Sequence, residues 1–529
     1  MLQDQHVLVL GLGLSGLAMA RWCARKGAKV TVADTRETPP QLELLREQVP
    51  AATFVGGALD AGLLDGNVQL VLCSPGLTPE QVAPVVAPAR ERGIAIGGEL
   101  SLFAAALAEL KEQQAYEPSV LAITGTNGKT TVTALTGQLV ERAGRQTAIA
   151  GNIGPTLLDT LTEKLDAQAL PQVWVIELSS FQLENAGDFE PTAAAVLNVT
   201  QDHLDWHGTM QAYAAAKQRV FGKTGLMILN REDPTVMQML PAAVRVSAAR
   251  PPGGAKAPSG GSAVHEVTSV GARSRGKMEQ RDYLTFGGDM PQRAGDFGIE
   301  VVNGMAWLVR ALEADETRRK RGEEAEEIHI QRLMPADALR IRGRHNAVNA
   351  LSALALASAA GCPLGPMLYG LREYRGEPHR VESIGTLNEV EYFDDSKGTN
   401  VGATVAALQG LGAERKLVVI LGGDGKGQDF SPLAAPVSRH ARAAVLIGRD
   451  SPLIRAVLEP ESVRMVEAQS MEDAVAKAAE IAVPGDAVLM SPACASFDMF
   501  RNYPHRAQVF RAAVRALADA AGVEMEVAA

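Results

Sequence analysis

Lys129, followed by Thr130 and Thr131, has the setting that points most directly to chemistry. It belongs to the run Leu121-Ala122-Ile123-Thr124-Gly125-Thr126-Asn127-Gly128-Lys129-Thr130-Thr131, in which an apolar strand passes through a loop with two glycines into the start of a helix. Backbone N–H groups at a helix N-terminus face an anion, Lys129 adds a full charge near the β- and γ-phosphates, and the Thr130 hydroxyl can hold Mg²⁺. The spacing is a short variant of G-x-x-x-x-G-K-[ST], because Ile123 stands where the first glycine belongs. Glu177 closes the apolar run Val173 to Ile176 roughly fifty residues later, where a metal-positioning carboxylate belongs. His203, just beyond the strand Ala193 to Leu197, is a second candidate metal ligand, with a purely structural histidine as the alternative.

Three further groups have recognisable spacing. His6 to Leu10, the loop Gly11-Leu12-Gly13-Leu14-Ser15-Gly16, a helix through about Lys26 and a strand ending at Asp34 form the layout of a dinucleotide-binding βαβ unit. NAD is the obvious occupant, but Thr35-Arg36 after Asp34 and the second phosphate site downstream speak for a different nucleotide. Near the C-terminus, the strands Val390 to Phe393, Leu417 to Leu421, Ala444 to Ile447 and Ala487 to Met490 all run into loops. Lys397, Thr399, Lys426 and Ser496 on those loops make a cradle for a small substrate with several carboxylates. Asn346 and Asn349, at i and i+3 in an alanine- and leucine-rich helix, suit either a purine edge or a helix cap.

To converge, these groups need parallel sheets whose strands end along one edge. The alternation of strands and helices predicts an α/β chain of three domains. They are a Rossmann-like domain over 1–115, a central P-loop ATPase-like parallel sheet over 116–376 with an insertion around 250–330, and a Rossmann-like C-terminal domain over 377–529. Glu117-Pro118 and Tyr374 to Pro378 read as linkers. Within the insertion, Arg250 to Ser262 reads as a mobile surface loop and Glu313 to Glu327 as a solvated helix. An apolar content of 46% supports packed cores, and 51 basic against 61 acidic residues disfavour nucleic acid as the main partner. Cys23, Cys73, Cys362 and Cys494 are scattered without metal spacing, as free thiols of a reducing compartment would be. No signal peptide or membrane-length apolar run is evident, so a cytoplasmic protein with no membrane insertion is expected, and a monomer.

Together the motifs resemble the Mur ligase family over nearly the whole chain. Gly125 to Thr131 and His345-Asn346-x-x-Asn349 are shared with the wider ligase superfamily, including folylpolyglutamate synthase. Four motifs are similar to the branch that adds D-glutamate: Gly11 to Gly16 with Asp34-Thr35-Arg36, Asp395-Ser396-Lys397-Gly398-Thr399-Asn400, Gly422 to Gly427, and Ser491 to Asp498. The resemblance implies an ATP-dependent amide ligase that joins D-glutamate to UDP-N-acetylmuramoyl-L-alanine through an acyl phosphate, in cytoplasmic peptidoglycan precursor synthesis. ATP is then a co-substrate, two Mg²⁺ ions assist, and the domains close about hinges near residues 115 and 377.

The resemblance also implies residue roles. UDP in place of NAD would meet Leu14, Ser15, Asp34, Thr35, Arg36 and Gly76, with Asn152 and Gln182 on the sugar peptide or its nucleotide. ATP would lie on Gly125, Thr126, Asn127, Gly128, Lys129, Thr130 and Thr131, with Asn349 and Arg380 at the adenosine. Thr130, Glu177, His203 and a carbamylated Lys217 would hold metal, since a carbamate offers the anionic oxygens that an ammonium lacks. D-glutamate would meet Lys397, Thr399, Lys426, Ser496, Phe497 and Tyr503, and the catalytic set would be Lys129, His203, Lys217 and Lys397. The alternatives are a sibling or folylpolyglutamate-type ligase, an NAD-dependent oxidoreductase, and an ATP-driven switch.

Overall fold

The structure is a computed structural model that describes residues 2–241, 281–313, 328–413, 415–523 and 525. Its first sheet comprises β1 (His6–Leu10), β2 (Lys29–Asp34), β3 (Thr53–Gly56), β4 (Val68–Cys73) and β5 (Ala95–Gly97). All are parallel, in the order β3-β2-β1-β4-β5. The helix Leu14–Arg25 packs so closely on β1 that a Cβ on Gly16 would lie 1.9 Å from the Gly11 carbonyl oxygen, so only glycine fits.

The second sheet holds β6 (Ser119–Thr124), β7 (Thr147–Gly151), β8 (Val173–Glu177), β9 (Ala193–Val196), β10 (Leu226–Asn230), β11 (Tyr283–Phe286), β12 (Phe297–Val302), β13 (Met305–Glu313) and β14 (Ile328–Pro335). Its order is β14-β13-β12-β11-β10-β9-β6-β8-β7, parallel from β7 to β12 and antiparallel beyond. The strand β6 that feeds the phosphate loop is thus interior, flanked by β8 and β9, and its residues are apolar on both faces as a doubly covered strand requires.

The stretch expected to be an insertion around 250–330 is in part sheet. Phe286, Phe297, Leu308 and Met334, from β11 to β14, bury their side chains in the same core as the helix Arg344–Ala359. Glu313 ends β13 in place of starting a solvated helix; residues 314–327 and the Arg250 to Ser262 loop lie outside the described residues.

The third sheet has β15 (Glu382–Leu387), β16 (Val390–Asp394), β17 (Leu417–Leu421), β18 (Ala441–Leu446), β19 (Met465–Glu467) and β20 (Ala487–Met490), in the order β15-β16-β20-β17-β18-β19. It is parallel except for β15, which forms a hairpin with β16. The molecule is therefore α/β with three parallel-dominated sheets, two of them extended by antiparallel strands at one edge. Among the described residues no helix is long and apolar enough to cross a membrane.

Candidate functional site

The phosphate loop turns from β6 into the helix Lys129–Arg142, with Gly128 at φ 85° as the residue before its first turn. The loop is bolted to the segment after β9. The Asn127 N–H donates to Asn198 Oδ1 at 2.8 Å, Asn198 Nδ2 donates to the Asn127 carbonyl at 3.1 Å, and the Thr200 N–H donates to Thr126 Oγ1 at 3.0 Å. Lys129 curls over the loop and donates to the carbonyls of Gly125 (2.9 Å) and Thr126 (2.8 Å). Burial lowers its pKa, opposed by the charge of Glu177.

Lys217, on the helix Met210–Gln218, is buried and donates to the same Gly125 carbonyl at 2.8 Å. Burial first, and then the Lys129 charge, hold its pKa well below the ordinary lysine value. Two amines on one carbonyl cannot both carry charge cheaply in a dry site, and desolvation lowers both lysines, Lys217 strongly. Glu177, at the end of β8, is buried; its Oε1 accepts from Asn152 Nδ2 at 2.6 Å, and its Oε2 has no partner among the described residues. His203 has left-handed backbone (φ 54°), packs edge-on to Phe181 at 4.8 Å and lies 3.6 Å from Asp202. Desolvation lowers its pKa against the pull of Asp202, although the side chain is 43% exposed, and the neutral ring is the form that ligates. The orphaned buried Glu177 oxygen and the Thr130 hydroxyl are oxygen donors of the kind a hard divalent cation takes.

Facing the loop are Arg380, just before β15, and the asparagines of the helix Arg344–Ala359, which belongs to the second sheet's own core. Arg380 donates to Thr130 Oγ1 at 2.7 Å. Asn349 donates to Asn346 Oδ1 at 3.2 Å, and Asn346 donates back to the Arg342 carbonyl at 2.8 Å. Neither asparagine caps its helix, whose N-cap is Gly343 without a side-chain bond. Of the two alternatives, capping is removed, and Asn349 with Gly128, Arg380 and Lys397 lines one cavity of about 100 Å³. Burial and the Arg380 charge lower the Lys397 pKa.

The other cradle residues form two pairs. Lys397 sits 5.3 Å from the Tyr503 ring, and Lys426 sits 5.9 Å from that of Phe497, which is exposed. Ser496 is buried and Thr399 half-buried. Their loops are held together by Arg506, which motif reading missed. It is 2% exposed and donates to the carbonyls of Ser396 (2.8 Å) and Cys494 (3.0 Å). The available signal was an arginine on the stripe Arg506, Ala507, Phe510, Ala513 and Val514, the apolar face of its helix.

In the first sheet, both oxygens of Asp34 are occupied: Oδ2 accepts from the Leu12 N–H at 2.7 Å and from Arg36 Nη2 at 2.8 Å, and Oδ1 from Arg36 Nε at 2.8 Å. Burial raises the Asp34 pKa, but the bonds from Arg36 and Leu12 outweigh it, leaving the carboxyl below its ordinary value. Asp34 is thus an anchor for Arg36 more than a free ribose reader. Leu14, Thr35, Arg36 and Gly76 are exposed around it and Ser15 is half-buried. Gln182 is engaged locally, accepting from the Ser179 N–H at 3.0 Å in a capping box.

Comparison with known proteins agrees with this layout. Three family models match: the Mur ligase MurD-like N-terminal domain over residues 5–98, the Mur ligase middle domain over 123–250 and the Mur ligase glutamate ligase domain over 379–494. The chain is 66% identical over 529 residues to the UDP-N-acetylmuramoylalanine–D-glutamate ligase of Albidiferax ferrireducens, covering all of this chain and 99% of that one. It is 57% identical to the ligase of the same name from a Polaromonas species, covering 99% of each, and 55% identical to that of Burkholderia mallei, covering 98% of each. Among solved structures, UDP-N-acetylmuramate-alanine ligase MurC from Thermotoga maritima shares the fold at a TM-score of 0.51 and 18% identity, over 97% of this chain and 100% of that one. With identity of this order along its full length, the chain belongs to the UDP-N-acetylmuramoylalanine–D-glutamate ligases of the Mur ligase family.

Proposed function

We infer that this chain joins D-glutamate to UDP-N-acetylmuramoyl-L-alanine at the expense of ATP, forming an amide bond in peptidoglycan precursor synthesis. The observation that carries this is the end-to-end match to D-glutamate ligases. An oxyanion of the L-alanine carboxylate attacks the γ-phosphorus, the β,γ-bridging bond breaks, and ADP leaves. The neutral amine of D-glutamate then attacks the acyl carbon, the C–O bond to phosphate breaks, and the amine loses its proton.

In this reading Gly125 to Thr131 hold the ATP phosphates, Asn349 and Arg380 lie at the adenosine, and Lys129 spreads the charge of the transferred phosphoryl group. Thr130, Glu177 and His203 would hold Mg²⁺, which would supply screening of the phosphate charge. A neutral Lys217 amine is the form that combines with CO₂ to give a carbamate, and its pKa supports that role. Arg36, fixed by Asp34, with Leu14, Ser15, Thr35 and Gly76, takes the uridine nucleotide; Asn152 and Gln182 meet its sugar peptide. Lys397, Thr399, Lys426, Ser496, Phe497 and Tyr503 take D-glutamate. A cytoplasmic monomer divided near residues 115 and 377 completes the reading; four buried free cysteines are consistent with a reducing compartment.

The test follows phosphate release from ATP and Mg²⁺ with UDP-N-acetylmuramoyl-L-alanine and, in turn, D-glutamate, L-glutamate, meso-diaminopimelate or no amino acid. Release with D-glutamate alone is expected. Release with another amino acid would move the chain to a sibling activity, and release with none would favour an ATP-driven switch.

A further inference from the structure

Asn400 is 5% exposed and uses all four of its hydrogen-bonding positions. Its Oδ1 accepts from the Ala403 N–H at 2.9 Å, capping the helix Val401–Leu411 of the third sheet. The other three bonds leave that sheet. Nδ2 donates to Asn127 Oδ1 at 3.1 Å and to Asp202 Oδ2 at 3.2 Å, while Asn127 Nδ2 donates to Asn400 Oδ1 at 3.2 Å. Asn127 lies in the phosphate loop and Asp202 next to His203.

A second observation marks the same contact. A Cβ on Gly402 would stand 2.7 Å from Thr200 Oγ1 and 3.2 Å from Asn127 Nδ2, so the first turn of this helix reaches the loop only because residue 402 has no side chain. The helix start also ties to the loop carrying Lys426, because the Val401 N–H donates to Gln428 Oε1 at 3.0 Å. Were the two sheets to part, the three outward bonds of Asn400 would break while its cap bond would remain.

We propose that Asn400 is a positioning residue, a clasp that sets the amino-acid cradle in register with the phosphate loop and the Asp202-His203 segment when the third sheet closes. This rests on the ligase reading above. The side chain touches no reacting atom; it fixes Lys397 and Thr399, in its own loop, relative to the acyl phosphate that must form on the other side.

Asn400→Asp keeps the cap acceptor but loses both donors and sets a carboxylate against Asp202; Asn400→Ser keeps the cap and loses the clasp without repulsion. The expected result is a fall in kcat of about 100-fold for the first and about 10-fold for the second, the range of coupling between contacting polar groups. Binding of the UDP substrate and Tm should stay at wild-type values. The double variant Asn400→Asp with Asp202→Asn restores one donor across the gap and should recover about 10-fold over Asn400→Asp alone. Full kcat in Asn400→Asp, or no recovery in the double variant, overturns the clasp; loss of Tm in step with loss of activity assigns Asn400 to helix capping alone. Should the wild-type chain release no phosphate with D-glutamate, the ligase reading fails instead. Small-angle scattering of the full chain with a non-hydrolysable ATP analogue then still tests the clasp, which requires Asn400→Asp to be measurably more extended than wild type.

Discussion

The second sheet has two neighbours and meets them by different means. Toward the first sheet it shares one apolar core: Val7, Leu17 and Phe103 cluster with Val120, Trp174 and Phe221. Toward the third sheet the contacts among described residues include the Asn127–Asn400 pair, the Arg380–Thr130 bond and the approach of His345 to Gly410, while the third sheet keeps apolar cores of its own. Apolar burial is lost outright when surfaces separate, whereas a hydrogen bond given up to water costs only about 1 kcal/mol. The first contact is therefore built to stay and the second to open. The helix Glu99–Gln114 lies in the shared core and Tyr116 donates to the Pro171 carbonyl at 2.6 Å, so this contact runs up to the linker expected near residue 115.

This contrast can be broken most severely at Phe103, which is fully buried and meets the Trp174 ring edge-on at 5.1 Å between centroids. Phe103→Ala should lower the unfolding free energy by about 3–5 kcal/mol in urea denaturation, moving the first two sheets in one transition. Two separate transitions would show that the shared core does not couple them.

Glu99 is the acid buried at this contact, accepting from the Leu158 N–H at 3.2 Å with Oε2 unpartnered. Burial raises its pKa from 4.5 to about 7. Between those values the folded chain binds a proton that the unfolded chain has released, so stability falls as pH rises from about 4.5 to about 7 and then levels. Glu99→Gln should remove that slope and add about 3 kcal/mol of stability above pH 7. A parallel pH profile for the two proteins would rule out the buried acid as its source.

At the polar contact the expected damage is to catalysis. Arg380→Ala should cost about 2 kcal/mol in kcat/KM for ATP, the worth of a charged hydrogen bond, and shift Tm little. A large fall in Tm with unchanged kinetics would reverse the assignment of this contact. Smallest of all is Arg21→Ala. Its pair with Asp159 at 2.7 Å spans the rim of the apolar contact, and with both side chains 34% exposed its loss should cost about 0.5 kcal/mol in the same denaturation experiment.

Much of the architecture was legible because its signals are local. An apolar run ending in Gly-x-x-Gly-Lys, or in Asp34-Thr35-Arg36, carries its own strand, turn and helix start within a dozen or so residues. The strands β11 to β14 escaped notice because their charge-rich surroundings masked the alternation, and because their partner surface, the helix Arg344–Ala359, comes later in the chain. Asn346 and Asn349 could be placed on one helix face from spacing alone, but a cap and a ligand contact look the same in sequence.

By itself, then, the sequence determined the α/β class, the phosphate loop with Lys129, and the carboxylates and lysines at strand ends, because residue type and spacing act over one or two turns of backbone. Tertiary structure alone decided that Asp34 is spent on Arg36, that Lys217 shares a carbonyl with Lys129, that Arg506 staples two loops, and that Asn400 reaches Asn127. Each of those depends on burial and on groups brought together across tens to hundreds of residues, where charge, desolvation and hydrogen bonding are set by neighbours that spacing does not reveal.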